Sequence, residues 1–419
     1  MEKKATKKKK KKKKKNQSFS SVISNRIDND SKFSLFEVII IILISVVFGI
    51  IIGYLITYGN SNLSQVRSNT NLGEIVSTYN NIVDNYYDKV DEKKLSEAAV
   101  KGMVASLEDP YSMYLDESST DSFNESVDGE YVGIGITISY EGEYNSIVSL
   151  VKNGPAEKAG LQVGDILLSI DGKDCKGLYP EQFNQLIDGK VGSSLSLIVK
   201  RGEEEVSYDV KREVIEIQNV SSKVLGKDIG YIKVNIFASN TAEQFSNQLT
   251  KLEKKNIQSL IIDLRDNPGG HLLQAREVLD LFFSKKTVLY QIEKNGSRSK
   301  VYAKDSTKRS YPVVVLINGD TASSAEVVAA CFQDNYKNAT IVGVNSYGKG
   351  NVQKSLTLKN GTSIKFTIEK WLTAKGKSVS EEGIVPDRVV EQSTMYYVDY
   401  LEEHDFPLQE GITILKESH

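Results

Sequence analysis

The sequence predicts an α/β protein behind a single N-terminal transmembrane helix, with a smaller β-rich unit bearing two helices ahead of the α/β part. Three observations point there. Residues 38–58, VIIIILISVVFGIIIGYLITY, are uncharged and long enough to cross a hydrocarbon core as a helix. From Glu130 to residue 213 the apolar pattern has the period of strands. From Ile229 onward short apolar runs alternate with helical patterns, the mark of a largely parallel sheet.

The apolar span is unbroken Ile, Leu and Val on all faces, which does not suit a helix with one face in water. Of the chain's 53 Lys/Arg and 55 Asp/Glu, thirteen and four lie in residues 1–59, most of the basic ones in a lysine run before the span. Basic residues on that side place a tail, 1–37, in the cytoplasm and residues 60–419 outside. A cleaved signal peptide is the competing reading. The span is too long for its apolar region and no small-residue cleavage site follows, so the expectation is an uncleaved signal anchor at 38–58 in the cell membrane. The remaining 40 basic and 51 acidic residues give the body a net charge of −11, which argues against nucleic acid as a partner. Cys175 and Cys331 match no metal spacing and read as free buried thiols.

The polar stretch 59–71 reads as a linker. In 72–128, a helical arm or cap, Ile75, Val76, Tyr79, Ile82, Val83 and Tyr86 recur at helical spacing. Leu95, Ala98, Ala99, Met103 and Leu107 do the same before Pro110 stops them. Residues 129–213 form the β-rich unit: YVGIGITI, NSIVSLV and DILLSIDG as strands, PAEKAG and PEQFNQLIDG as helices, then a hairpin. Residues 214–391 form the α/β core, with helices expected near Ala242–Lys255, near Leu272–Phe283 and from Ser323 or Ser324. A hairpin turns on Asn360-Gly361, and 392–419 is a C-terminal segment.

Three stretches of the core could carry chemistry. In NGDTASSAEVV, Ser323 stands where a buried-strand run gives way to a helix. Ser323-x-x-Glu326 fits a capping box, yet the same position favours developing negative charge on a nucleophile. In DLRDNPGGHL, Gly269 and Gly270 let the backbone turn sharply and present amides, either to an oxyanion or to nothing. In SYGKGNVQ, Lys349 between two glycines is a surface-turn lysine or, if desolvated, a general base. In the β-rich unit, Tyr131, Val132, Gly133, Ile134, Gly135 and Ile136 offer clustered N–H groups to a peptide C-terminal carboxylate, and the strand after them offers an edge to a peptide.

The order and company of these stretches are more specific than any one of them. With EDPYSMYLD, YVGIGI, GPAEKAGLQVGDILLSIDG and GIVPD, the chain resembles the C-terminal processing proteases (tail-specific peptidases), serine proteases with an inserted PDZ domain, over residues 72–390. The resemblance implies a PDZ domain at 129–213 beside a crotonase-like α/β core. It implies protein or peptide substrates held by their C-termini, homodimers through terminal helices, and no metal or small cofactor. By position it makes Ser323 the nucleophile, Lys349 its base and Gln353 the group that orients the base. Ser324 and either Gly269 or Gly270 would supply oxyanion amides. Lys349 follows Ser323 by one residue more than the family pattern expects, with the extra residue placed in Asp334–Asn338. Without that insertion the count selects Ser324. His271, next to the glycine turn, keeps a Ser–His pair open. The rival from another class is a tethered PDZ adaptor without activity.

Overall fold

The computed structural model describes residues 40, 42–54, 70–140, 142–304, 309–380 and 382–418. Residues up to Ala99 and Val100–His419 form two compact units. In the first, residues 42–54 are helical and apolar, with exposed side chains such as Ile44, Phe48 and Ile50. Among the described residues no helix is long and apolar enough to cross a membrane. Residues 42–54 span about 20 Å at 1.5 Å per residue, against ~30 Å of hydrocarbon. The two ends of the expected span, the tail 1–37 and most of the linker lie outside the described residues. Thr70–Asn85 and Glu92–Ala105 are the two helices expected from the periodic apolar positions.

In the second unit the core is a six-stranded sheet in the order Val220–Leu225, Ile229–Val234, Ser259–Asp263, Val313–Ile317, Ala339–Gly343, Arg388–Val389. The first pair is antiparallel and every other pair is parallel. Both faces are covered, which explains why Val313–Ile317 is apolar at every position. Val313, Val315 and Ile317 pack with the helices Thr241–Glu253, Leu272–Asp280 and Ser324–Asn335. Val314 and Leu316 pack with Leu408 and Leu415 of the C-terminal helix Phe406–Glu417. Gly411 lets that helix lie close, since a Cβ there would stand 3.1 Å from Val314.

A second sheet is built on the expected Asn360-Gly361 hairpin and centres on its ten-residue strand Ser363–Leu372; its other strands were not expected from the sequence. Asn351–Thr357 pairs along one side of it, Met113–Leu115 with one end of the other side, and Val288–Lys294 with the other end. Ser297–Tyr302 completes the sheet. The β-rich unit is a five-strand path, Ile136–Ser139, Ser146–Leu150, Ile166–Ile170, Ser194–Arg201 and Glu204–Lys211, with helices Pro155–Ala159 and Pro180–Ile187. Its chain enters and leaves through one two-stranded pair, Glu130–Gly133 with Glu213–Glu216. Cys175 and Cys331 are free and buried.

Candidate active site

Ser323 follows the C-terminal end of strand Val313–Ile317. The turn before it is stitched to the neighbouring loop: Thr321 Oγ1 donates to Leu264 O at 2.9 Å and Ala322 N–H donates to Asn267 O at 2.9 Å. Ser323 has φ 54° and ψ −118°, a conformation that costs a non-glycine residue about 1–3 kcal/mol. It caps the helix Ser324–Asn335, and the capping box is in place, with Glu326 accepting the Ser323 N–H at 2.7 Å.

The glycine turn lies directly against this serine. A Cβ on Gly269 would stand 2.8 Å from Ser323 Cβ, and one on Gly270 would stand 2.4 Å from Phe237 O. Phe237 N–H donates to Gly269 O and His271 N–H to Phe237 O, both at 2.7 Å, so the turn is clamped to the next strand's exit. The two glycine amides differ. Gly269 N–H donates to Asn267 Oδ1 at 2.9 Å. Among the described residues, Gly270 N–H and Ser324 N–H donate to no protein group. The Ser324 hydroxyl is committed: it is buried and donates to Gly270 O at 2.8 Å.

Lys349 sits on the loop after strand Ala339–Gly343, and Glu326 holds that loop to the serine. This fully buried carboxylate accepts from Ser346 Oγ at 2.6 Å and Gly348 N–H at 2.7 Å on one oxygen. On the other it accepts from Ser323 N–H at 2.7 Å and Lys349 N–H at 2.9 Å. Trp371 Nε1 donates to Lys349 O at 2.8 Å. The Lys349 ammonium has no ion-pair or hydrogen-bond partner among the described residues, and lies 5.2 Å from the centre of the Tyr111 ring. Burial pushes its pKa down, opposed by the Glu326 and Asp109 carboxylates. Gln353 is near, but its amide donates to the Tyr111 carbonyl and not to Lys349. A second lysine, Lys365, lies over the Phe123 ring at 4.6 Å, and burial together with the charge of Lys349 pushes its pKa down to about 8.

The structure thus brings Ser323, Ser324, Gly269 and Gly270 together, tied by one carboxylate to the Lys349 loop. No hydrogen bond joins Ser323 to Lys349 among the described residues. His271 is exposed and its ring makes no hydrogen bond there. Sequence reasoning saw Glu326 only as a capping partner, and gave Asn267, Asp109 and Tyr111 no role. EDPYSMYLD was a visible signal for the last two, without a mechanism attached.

In the β-rich unit, Tyr131 to Ile136 line a cleft of about 370 Å³ closed on its far side by Phe183 and Ile187. Gly135 turns at φ 77°, and among the described residues the N–H groups of Ile134 and Gly135 have no protein acceptor. Strand Ile136–Ser139 is the outermost strand of its sheet among the described residues.

Residues 228–390 match Peptidase family S41, residues 146–201 match a PDZ domain, and residues 57–119 match the Activating protease CtpB N-terminal domain. The chain is 35% identical over 367 residues to the carboxy-terminal processing protease CtpA of Bacillus subtilis (strain 168), covering 86% of this chain and 78% of that one. It is 36% identical over 349 residues to CtpB of the same organism, covering 82% and 72%. With the serine, the glycine turn and the PDZ unit where these matches lie, the chain belongs to the S41 family of carboxy-terminal processing proteases and is a serine-type peptidase.

Proposed function

We propose that this chain is a membrane-anchored endopeptidase working outside the cytoplasmic membrane, which captures substrate C-termini in its PDZ cleft and cuts with a Ser323–Lys349 dyad. The observation that carries the reading is the strained Ser323 between two amides that have no partner among the described residues, joined through Glu326 to the loop of a half-buried lysine. Neutral Lys349 would take the Ser323 proton as Oγ attacks the substrate carbonyl. Gly270 N–H and Ser324 N–H would hold the oxyanion; Gly269 N–H is already spent on Asn267. Collapse of the tetrahedral adduct breaks the C–N bond, the Lys349 ammonium returns the proton to the leaving amine, and water then releases the acyl group by the same steps. Gln353 would orient Lys349 through its amide oxygen, which faces away from the bond its NH₂ makes.

Unpaired amides at Ile134 and Gly135 suit a terminal carboxylate, and the free strand edge suits the residues before it. The apolar, charge-free span at 38–58 and the lysines before it support the anchor and its orientation. Protease added to intact cells should remove residues 60–419 and spare the lysine-rich end; digestion only after lysis would overturn the orientation. Amidating a substrate's C-terminus should raise KM, and equal KM for free and amidated tails would remove the PDZ cleft from recognition.

The dyad is tested by substitution. Lys349→Ala and Lys349→Arg should both lose turnover, since a guanidinium does not deprotonate in this range. His271→Ala should keep it. Activity in Lys349→Ala with loss in His271→Ala would give the base to histidine.

A further inference from the structure

Lys349 and Gln353 come from one loop and strand, yet both are held by a turn about 240 residues earlier in the chain. Asp109 pins this turn. Its Oδ1 accepts from Tyr111 N–H at 3.1 Å, and its Oδ2 accepts from Ser112 Oγ and Thr367 Oγ1, both at 2.6 Å. Ser112 Oγ in turn accepts from Thr367 N–H at 3.2 Å. Thr367 is the cross-strand partner of Gln353, at a bulge between Val352 and Gln353. The turn is therefore anchored to the strand neighbour of Gln353 and brings Tyr111 over it.

Tyr111 meets the base side of the site with two different groups. Its ring face covers the Lys349 ammonium, and its carbonyl takes the Gln353 NH₂. The second contact fixes which way the Gln353 amide faces, leaving its oxygen as the acceptor for Lys349. The first covers one side of an ammonium that bonds to no protein group among the described residues.

We infer that Tyr111 is a positioning residue for the base: its ring keeps Lys349 dry and its carbonyl sets the Gln353 amide, with Asp109 holding the turn in place. The inference rests on the dyad reading. Five charged or titratable groups enter its balance: Glu326 from the helix, Asp109 and Tyr111 from the turn, Lys365 from the strand, and Tyr347 beside Tyr111. The two carboxylates favour the ammonium. Burial and the Lys365 charge oppose it, and the ring contributes to the burial.

The sign follows. A base must be neutral, so kcat/KM rises with pH through the lysine's pKa. Removing the ring lets water back and moves that rise to higher pH. The test is the pH profile of kcat/KM on an unstructured peptide for full-length wild type, Tyr111→Ala, Tyr111→Phe and Asp109→Asn, with melting temperatures for each. Tyr111→Ala should lose roughly 10–100-fold at neutral pH and shift the rising limb up by about one pH unit. Tyr111→Phe, which restores the ring and keeps the carbonyl, should bring back the limb and most of the rate. Asp109→Asn loosens the turn but also removes a carboxylate that favours the ammonium, so its effects on the limb oppose each other; it should instead lose turnover with the fold intact, and full turnover would remove Asp109 from the inference. An unmoved limb in a folded Tyr111→Ala overturns the inference, as does a limb that moves equally in Tyr111→Phe. If Tyr111→Ala does not fold, Tyr111→Leu takes its place, since it fills the turn without placing a ring over the ammonium, and an unmoved limb there is then the overturning result. Lys349→Ala, run in parallel, separates the cases: activity there sinks the dyad reading itself, whereas a dead Lys349→Ala beside an unmoved Tyr111→Ala limb sinks only this inference.

Discussion

The nucleophile side and the base side of the site are built on different principles. Ser323, Gly269 and Gly270 are fixed by backbone: they follow the ends of adjacent parallel strands, with hydrogen bonds between main-chain groups or from main-chain N–H groups to the Asn267 and Glu326 side chains. The Lys349 ammonium and the Gln353 amide are placed by side-chain contacts to a turn far away in sequence, and among the described residues the ammonium has no hydrogen-bond or ion-pair partner. A preorganised oxyanion pocket needs dipoles that do not move, and backbone supplies them. A proton carrier has to exchange partners during the cycle, and a long side chain on a glycine-flanked loop can do so.

The largest effect that would break this contrast is at Ser323. Ser323→Ala should lower turnover by roughly 10⁴-fold or more, because it removes the attacking atom. If the contrast is right, strain is also stored there. Ser323→Gly should be equally inactive but melt higher than Ser323→Ala, since glycine adopts φ 54° and ψ −118° without penalty. Equal melting temperatures would show a relaxed backbone. Near-full activity in either variant would leave Ser323 a helix cap and nothing more.

Glu326 is the one group that belongs to both sides. All four of its partners are donors, so Glu326→Gln must turn an NH₂ against two of them. Leaving buried donors unsatisfied costs about 1–3 kcal/mol each. We expect a lower melting temperature and a loss of roughly 10–100-fold in kcat, with KM little changed, because the link sets the geometry of serine and lysine loop and not the binding of a tail. A shift in KM alone would mean that the carboxylate serves the substrate cleft.

The same contrast explains what could be read from the sequence. Val313–Ile317, the Asn-Pro-Gly-Gly turn and the Ser323 junction are local: a buried strand is apolar throughout, and a turn with positive φ asks for glycine. The base side was legible only as a lysine between glycines. The turn that holds it lies in a segment with no periodicity, and its contact with Thr367 and Gln353 is a matter of tertiary register. The strands of the second sheet beyond the Asn360-Gly361 hairpin escaped for a related reason. Ser297–Tyr302 is an exposed, mostly polar edge strand, and three-residue Met113–Leu115 is too short to show alternation. Glu326 was visible, but a capping box accounts for it so well that no further role suggested itself.

The smallest expected effect sharpens the contrast most, because it separates a main-chain role from a side-chain one at a single residue. Ser324 offers its N–H toward Ser323 while its hydroxyl donates to Gly270 O at 2.8 Å. Ser324→Ala keeps the amide and removes only that bond, at a net cost of about 1 kcal/mol. Gly270 is exposed, so water can replace the lost donor. Turnover should stay within roughly threefold of wild type, and a serine-reactive phosphonate should still label Ser323, as mapped by peptide mass spectrometry. A larger loss with labelling intact would mean that the hydroxyl steadies the glycine turn and that the oxyanion pocket is less self-supporting than its main-chain bonds suggest. Loss of activity and of the label together would move the nucleophile to Ser324, placing the extra residue of the Ser–Lys spacing outside Asp334–Asn338.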